Sequence, residues 1–203
     1  MEHLEGRVVW DSALPEQSPK FRQDAYHALV RTLAALHDVD PQAVGLADFG
    51  KPGNYFSRQV ARWTGQYRAC ETQTRPDMDW TIAWLERNMV PDDGQTAIVH
   101  GDYRLDNVMF DADTPDMIAV LDWELSTLGH PFADLAYQCM GLRLPQDGMI
   151  KGLDGLYRKA QGLTEEADYV AQYCALRGRP PPDKWAFYMV FSIFPLASIL
   201  EGV

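Results

Sequence analysis

Residues 99–111, VHGDYRLDNVMFD, and residues 118–124, IAVLDWE, gather His100, Asp102, Asp106, Asn107, Asp111, Asp122 and Glu124 around two short apolar runs. Carboxylates at this density repel one another unless something positive sits among them. The candidates are a metal ion, a basic side chain, or plain solvent. How these acids are tolerated decides both the fold and the chemistry.

Working outward, the stretches 96-TAIVHGD-102, 107-NVMFD-111 and 117-MIAVLDW-123 are short, β-branched and separated by polar turns, which predicts small strands. The flanks have a different texture. Ser18 can cap a helix with Pro19 in its first turn, and Phe21, Ala25, Leu29, Leu33 and Leu36 recur at helical spacing. Further helices are expected from near Asn54 toward Thr72, from Asp79 to Met89, from Phe132 to about Leu142, from Glu165 to Leu176, and from Asp183 to the end. Helices first, a small β insert carrying the charged loops, helices after: the expected class is α+β and mainly helical.

Composition narrows the function. A net charge of −11 over 203 residues argues against nucleic acid or an anionic membrane surface as a partner, because either would be repelled at long range. The longest apolar run, 186-AFYMVFSIFPLASIL-200, is short for a membrane span and is interrupted by Pro195. The opening residues lack the basic start and apolar centre of a signal peptide. Cys70, Cys139 and Cys174 are too few and too widely spaced for a disulfide framework or a zinc site, so a reduced, cytoplasmic setting is expected. A nucleotide ligand stays open, since a divalent cation and one or two basic groups can hold its phosphates.

The spacing of the acids is specific. His100, Asp102 and Asn107 reproduce H-x-D-x-x-x-x-N of the protein-kinase catalytic loop, and Asp122 stands at the end of an apolar strand where kinases place the D of D-F-G. Phosphoryl transfer needs this set: a carboxylate to take the nucleophile's proton, and oxygen ligands to hold magnesium against the nucleotide phosphates. Arg104 can lie near the transferred phosphoryl group and offset its charge, or pair with Asp106 at the surface. One H-x-D alone means little, since Asp is commonplace in turns. Asp122 behind IAVL, followed by Gly129, Pro131 and Asp134 in 129-GHPFADLA-136, makes the combination distinctive.

The run VHGDYRLDNVMFD…IAVLDWELSTLGHPFADLAY closely resembles the aminoglycoside phosphotransferase-like (choline kinase-like) superfamily of small-molecule kinases. It looks nearest to the branch whose domains are also found fused to acyl-CoA dehydrogenases. The opening MEHLEGRVVWD resembles that branch's hinge, so residues 1–203 read as one protein-kinase-like C-terminal lobe, with 1–20 as hinge and following loop. The resemblance makes Asp102 the catalytic base and Asn107 and Asp122 the magnesium ligands. It makes His100 a support of the loop and Asp134 its brace, although Asp134 also reads as an ordinary helix-entry acid. Mg2+ and ATP are the implied cofactors, and a small-molecule hydroxyl is the acceptor.

Members of this superfamily carry an N-terminal lobe with a phosphate-covering loop and a lysine. No Gly-rich loop precedes the motif here, and Lys51 in 50-GKPGN-54 reads as a solvated loop residue. The lobe is therefore expected to be absent from this chain and supplied by the same longer protein or by a partner. Both ends look cut: Val8, Val9 and Trp10 form an apolar opening without partner strands, and the last helix stops near Leu200, with Gly202 as its only evident cap. The chain alone is then expected to bind Mg-ATP weakly and to transfer phosphate poorly.

Two other readings compete: a non-catalytic remnant acting as a binding module, and a metal-dependent phosphoesterase using Asp102, Asp106 and Asp122. For the acceptor, an aromatic wall is available in Trp123, Tyr137, Tyr157, Tyr169, Tyr173, Trp185, Phe187 and Tyr188, although helical spacing assigns most of these to the core. The negative charge is compatible with an aminoglycoside. The resemblance to the dehydrogenase-associated branch suggests instead a hydroxyl on a small organic acid or its thioester.

Overall fold

Ser18 opens the first helix as its spacing predicts: its hydroxyl accepts from the Phe21 amide at 3.2 Å, and Pro19 begins α1, Pro19–Asp38. The computed structural model describes residues 3–148 and 150–201. Two further helices precede the β insert, α2 (Tyr55–Cys70) and α3 (Pro76–Arg87). Asn54 precedes α2 in a left-handed conformation without capping it through its side chain. Helix α3 begins at Pro76, three residues before the expected Asp79, because Pro suits the first turn and Asp77 and Asp79 complement the dipole.

After the insert come α4 (Phe132–Met140), α5 (Glu166–Leu176) and α6 (Trp185–Glu201). Helix α6 is apolar nearly all round and packs against α2, α3 and α4, while α1 packs against α5. It runs through Pro195 without ending there. The expected end of this helix at Gly202 lies outside the described residues. Among the described residues, no helix is long and apolar enough to cross a membrane.

The insert forms two small antiparallel sheets. One orders β1 (Arg7–Val8), β3 (Val108–Phe110) and β4 (Met117–Val120); the other pairs β2 (Ala97–Val99) with β5 (Thr127–Gly129). Two expectations are corrected here. The opening segment does have a partner, since Arg7 and Val8 sit opposite Phe110 and Met109. Val8 and Val9 are consequently partly buried, and of this apolar opening only Trp10 stays largely exposed. The strand expected over 117–123 stops at Val120, because Asp122 turns left-handed at φ +60°.

The aromatic wall resolves mainly into core. Tyr169, Tyr173, Phe187 and Tyr188 are buried, Tyr137 and Trp185 pack partly against the same cluster, and Trp123 and Tyr157 are exposed. Phe56 sits at the centre of a set of edge-to-face contacts with Phe187, Tyr188 and Phe191, which fixes α2 on α6.

Candidate active site

Strand β2 delivers the chain into the loop 100–107, and the loop is tied down on three sides. Tyr103 is fully buried and its hydroxyl donates to the Leu29 carbonyl at 2.9 Å, anchoring the loop on α1. From α4, the buried Asp134 carboxylate accepts the His100 amide at 2.6 Å and the Gly101 amide at 2.9 Å. His100, fully buried, lies 2.7 Å through Nε2 from the Leu121 carbonyl and accepts the Asp102 amide on Nδ1 at 3.2 Å. One tautomer, with the proton on Nε2, satisfies both contacts.

Gly101 has a physical reason to be glycine. Its φ is +88°, and a Cβ there would stand 2.6 Å from the Leu125 carbonyl oxygen. The segment after β4 therefore closes directly over the loop.

Asp102 projects into this frame. The Asn107 amide nitrogen donates to the Asp102 carbonyl at 2.9 Å and to its Oδ2 at 2.8 Å. Among the described residues, nothing hydrogen-bonds to the Asn107 side-chain oxygen, which lies on the other side of the amide from Asp102. Asp102 Oδ1 has Arg104 Nε at 3.0 Å, yet among the described residues neither atom has an aligned hydrogen-bond partner. Arg104 also reaches Asp106 Oδ2 at 3.3 Å, so the surface pairing with Asp106 is formed and extends to Asp102. Burial raises the Asp106 carboxyl above its ordinary range, offset in part by Arg104 and reinforced by Asp102. The half-buried Tyr137 hydroxyl is pushed up by burial first and by the adjacent Asp102 charge second.

Asp122 reaches the same place by a different route. In the β3–β4 ladder Val108 faces Val120, and one step further the Leu121 amide donates to the Asn107 carbonyl at 2.8 Å. The Leu121 carbonyl is the group that meets His100, so Leu121 is held through both of its backbone groups by the two ends of the loop. Asp122 follows immediately, at the same end of the ribbon as Asn107. Its side chain is exposed, and among the described residues nothing hydrogen-bonds to its carboxylate. Glu124, two residues on, is exposed.

An exposed carboxylate and a neighbouring free amide oxygen are hard oxygen donors of the kind that Mg2+ takes alongside water and phosphate. Among the described residues, no three His, Cys, Asp or Glu side chains converge as a metal-holding group. The three-carboxylate arrangement of Asp102, Asp106 and Asp122 that the phosphoesterase reading requires is thus not formed, since Arg104 already spans the first two. Lys51 is exposed in a loop whose carbonyl accepts from Arg58, in keeping with a solvated role.

A cavity of about 530 Å³ opens beside Arg104 and Asp106, walled by Tyr137, Gln138, Met140, Leu142 and Trp10. Sequence reasoning passed over two buried residues on this frame: Tyr103, and His37, which touches Asp134. A single histidine on an apolar helix face carries no signal of its own.

The model of the family described as "Phosphotransferase enzyme family" matches residues 1–185. The chain belongs to this phosphotransferase family. It is 44% identical over 204 residues to acyl-CoA dehydrogenase family member 10 of Mus musculus, covering all of this chain and 19% of that protein. It is 40% identical to acyl-CoA dehydrogenase family member 11 of Rattus norvegicus, again over the whole chain and 26% of the relative. The chain thus spans about a fifth to a quarter of those relatives' length. A Ralstonia eutropha structure, provisionally named an aminoglycoside phosphotransferase, superposes with a TM-score of 0.95 at 49% identity, over 100% of this chain and 61% of that one. An aminoglycoside-3'-phosphotransferase of type VIII shares the fold at a TM-score of 0.66 and 20% identity, over 95% of this chain and 67% of that one.

Proposed function

We propose that this chain supplies the base and the metal ligands of an ATP- and magnesium-dependent small-molecule kinase, which moves the γ-phosphate to a hydroxyl. One observation carries the reading. The Asn107 amide nitrogen is committed to Asp102, and Asn107 stands at the same end of the β3–β4 ribbon as Asp122, to whose carboxylate nothing hydrogen-bonds among the described residues. In this reading Asn107 and Asp122 hold Mg2+, and the bound ion supplies charge neutralisation to the phosphates. Asp102 Oδ1, buried and without an aligned donor, takes the acceptor's proton. Arg104 shields Asp102 and Asp106 until the acceptor enters, then offsets charge on the phosphoryl group. His100 and Asp134 hold the loop.

The acceptor is assigned to the cavity beside Asp106. Its mainly apolar wall, with Arg104 neutralising two carboxylates, favours a hydroxyl on a small organic acid or its thioester over a polycationic sugar. The rest of the nucleotide cleft is assigned to a lobe outside residues 1–203, in the same chain or in a partner. By itself this chain then binds Mg-ATP weakly. The three free thiols, two of them buried, are in keeping with a cytoplasmic setting.

Asp102→Asn in a protein that contains both lobes tests the proposal. Nucleotide binding should persist, while phosphotransfer to a hydroxyl panel falls by about 10²–10⁴-fold, the range for losing a general base. Unchanged transfer would remove Asp102 from the chemistry. A binding function that survives the change in a protein with no transfer at all would favour the non-catalytic reading.

A further inference from the structure

His37 takes no part in the chemistry proposed above, yet it is buried, 3% exposed, in the last turn of α1. Its Nε2 lies 3.2 Å from Asp134 Oδ2 and its Nδ1 2.6 Å from the Tyr173 hydroxyl. Arg177 Nη1 donates to the same hydroxyl at 3.0 Å, and Arg177 Nε lies 2.6 Å from Asp38 Oδ1. A continuous polar chain therefore crosses the core from Asp38 and Arg177, at the ends of α1 and α5, to the catalytic-loop backbone.

Proton bookkeeping gives this chain a direction. Asp134 already accepts the His100 and Gly101 amides, so it acts as acceptor and His37 Nε2 must donate. Arg177 can only donate, so the Tyr173 oxygen accepts from it and its own proton points to His37 Nδ1. Burial holds the Tyr173 hydroxyl protonated, as this requires. Neutral His37 with its proton on Nε2 satisfies every contact. A second proton on Nδ1 would leave the Tyr173 proton without an acceptor in a buried site, which is costly.

We propose that His37 is a positioning residue: it fixes the Asp134 carboxylate on the His100 and Gly101 amides, while Tyr173 and Arg177 hold His37 in the donating tautomer. Asp134 Oδ2 is shared between His37 and the His100 amide, so the imidazole sets the rotation of the carboxylate that the loop hangs from. The consequence for Asp102 rests on reading Asp102 as the base; the positioning itself does not. The competing account is packing alone, since the His37 and Tyr173 rings also meet edge to face with centroids 5.8 Å apart.

Amide proton shifts and hydrogen exchange of the ¹⁵N-labelled chain separate the two. In the parent, the His100 and Gly101 amide protons should lie downfield, as carboxylate-bonded amides do. His37→Leu should move both upfield and speed their exchange by about tenfold beyond any change at Ile98 and Leu135, the scale of one lost charge-assisted hydrogen bond. His37→Gln, whose amide can still donate to Asp134, should restore both. Tyr173→Phe should shift the same two amides in the same direction by less, and it decides the matter if His37→Leu does not fold. Equal acceleration at all four amides, unmoved shifts, or no rescue by Gln would reduce His37 to a packing residue. None of these readouts involves nucleotide, so failure of the kinase reading would show separately in the Asp102→Asn assay.

Discussion

The loop 100–107 and the segment 121–125 meet at one place, but they are held in opposite ways. The loop is clamped through side chains: buried Asp134, His100, Tyr103 and Asn107 all bond to backbone groups. The segment after β4 is held mainly through its backbone, by the Leu121 amide and carbonyl and by close approach to Gly101, with the Trp123 ring against His100 and its indole N–H on the Val120 carbonyl, and it leaves the carboxylates of Asp122 and Glu124 exposed. The contrast assigns different tasks. A base must be in place before the acceptor arrives, whereas a metal ligand has to keep its carboxylate free of protein partners so that a cation can take it.

The comparison can be broken first at its stiff side. Asp134→Ala strips two backbone amides and His37 of a buried acceptor, and should cost about 3–5 kcal/mol in urea unfolding. A loss within the scatter of surface substitutions would show that the clamp is dispensable. Gly101→Ala comes next, because it imposes both a left-handed φ and a clash with the Leu125 carbonyl. About 1–3 kcal/mol is expected, together with chemical-shift changes over 122–125. Changes confined to residues 99–103 would uncouple the two regions.

A reference ion pair away from both regions sharpens the scale. Glu166 accepts Arg143 at two contacts of 2.6 Å and the Trp185 ring nitrogen at 2.8 Å. Those bonds, Arg143's first, hold its carboxyl below the ordinary range despite burial. The folded protein thus binds this proton less tightly than the unfolded chain does. Its stabilisation is present above the unfolded value of about 4.3 and is lost as pH falls through the lower folded value. Glu166→Gln should cost about 1 kcal/mol at pH 7, since the pair is partly exposed, and almost nothing at pH 2. A cost independent of pH would assign the loss to packing.

Asp122→Ala is the smallest expected effect on folding, within about 0.5 kcal/mol, because no protein group bonds to the carboxylate among the described residues. A large loss there would mean that Asp122 is structural, and the distinction between the two regions would fall.

The same contrast explains what the sequence made legible. Helix α1 was readable from Ser18, Pro19 and the leucine spacing, and the loop from H-x-D-x-x-x-x-N, because both signals are local. Strands β1 and β5 were not, since two or three residues have no periodicity and their pairing is decided by partners about 100 and 30 residues away. The left-handed Asp122 was missed because an apolar strand ending in Asp looks extended, and no local residue marks the turn. For Arg104 the sequence allows either the phosphoryl group or Asp106 as partner, and only the fold shows it spanning Asp102 and Asp106.

In the proposed site Asn107 and Asp122 hold a divalent cation beside Asp102. Paramagnetic broadening by Mn2+ with ADP, titrated into the ¹⁵N-labelled chain, reads this even when binding is weak. The amides of 106–108 and 121–124 should broaden first, and Asp122→Ala should abolish the effect with the fold intact. Broadening centred on another acidic turn, such as Asp92–Asp93 or Asp111–Asp116, or unchanged by Asp122→Ala, would contradict the proposed site.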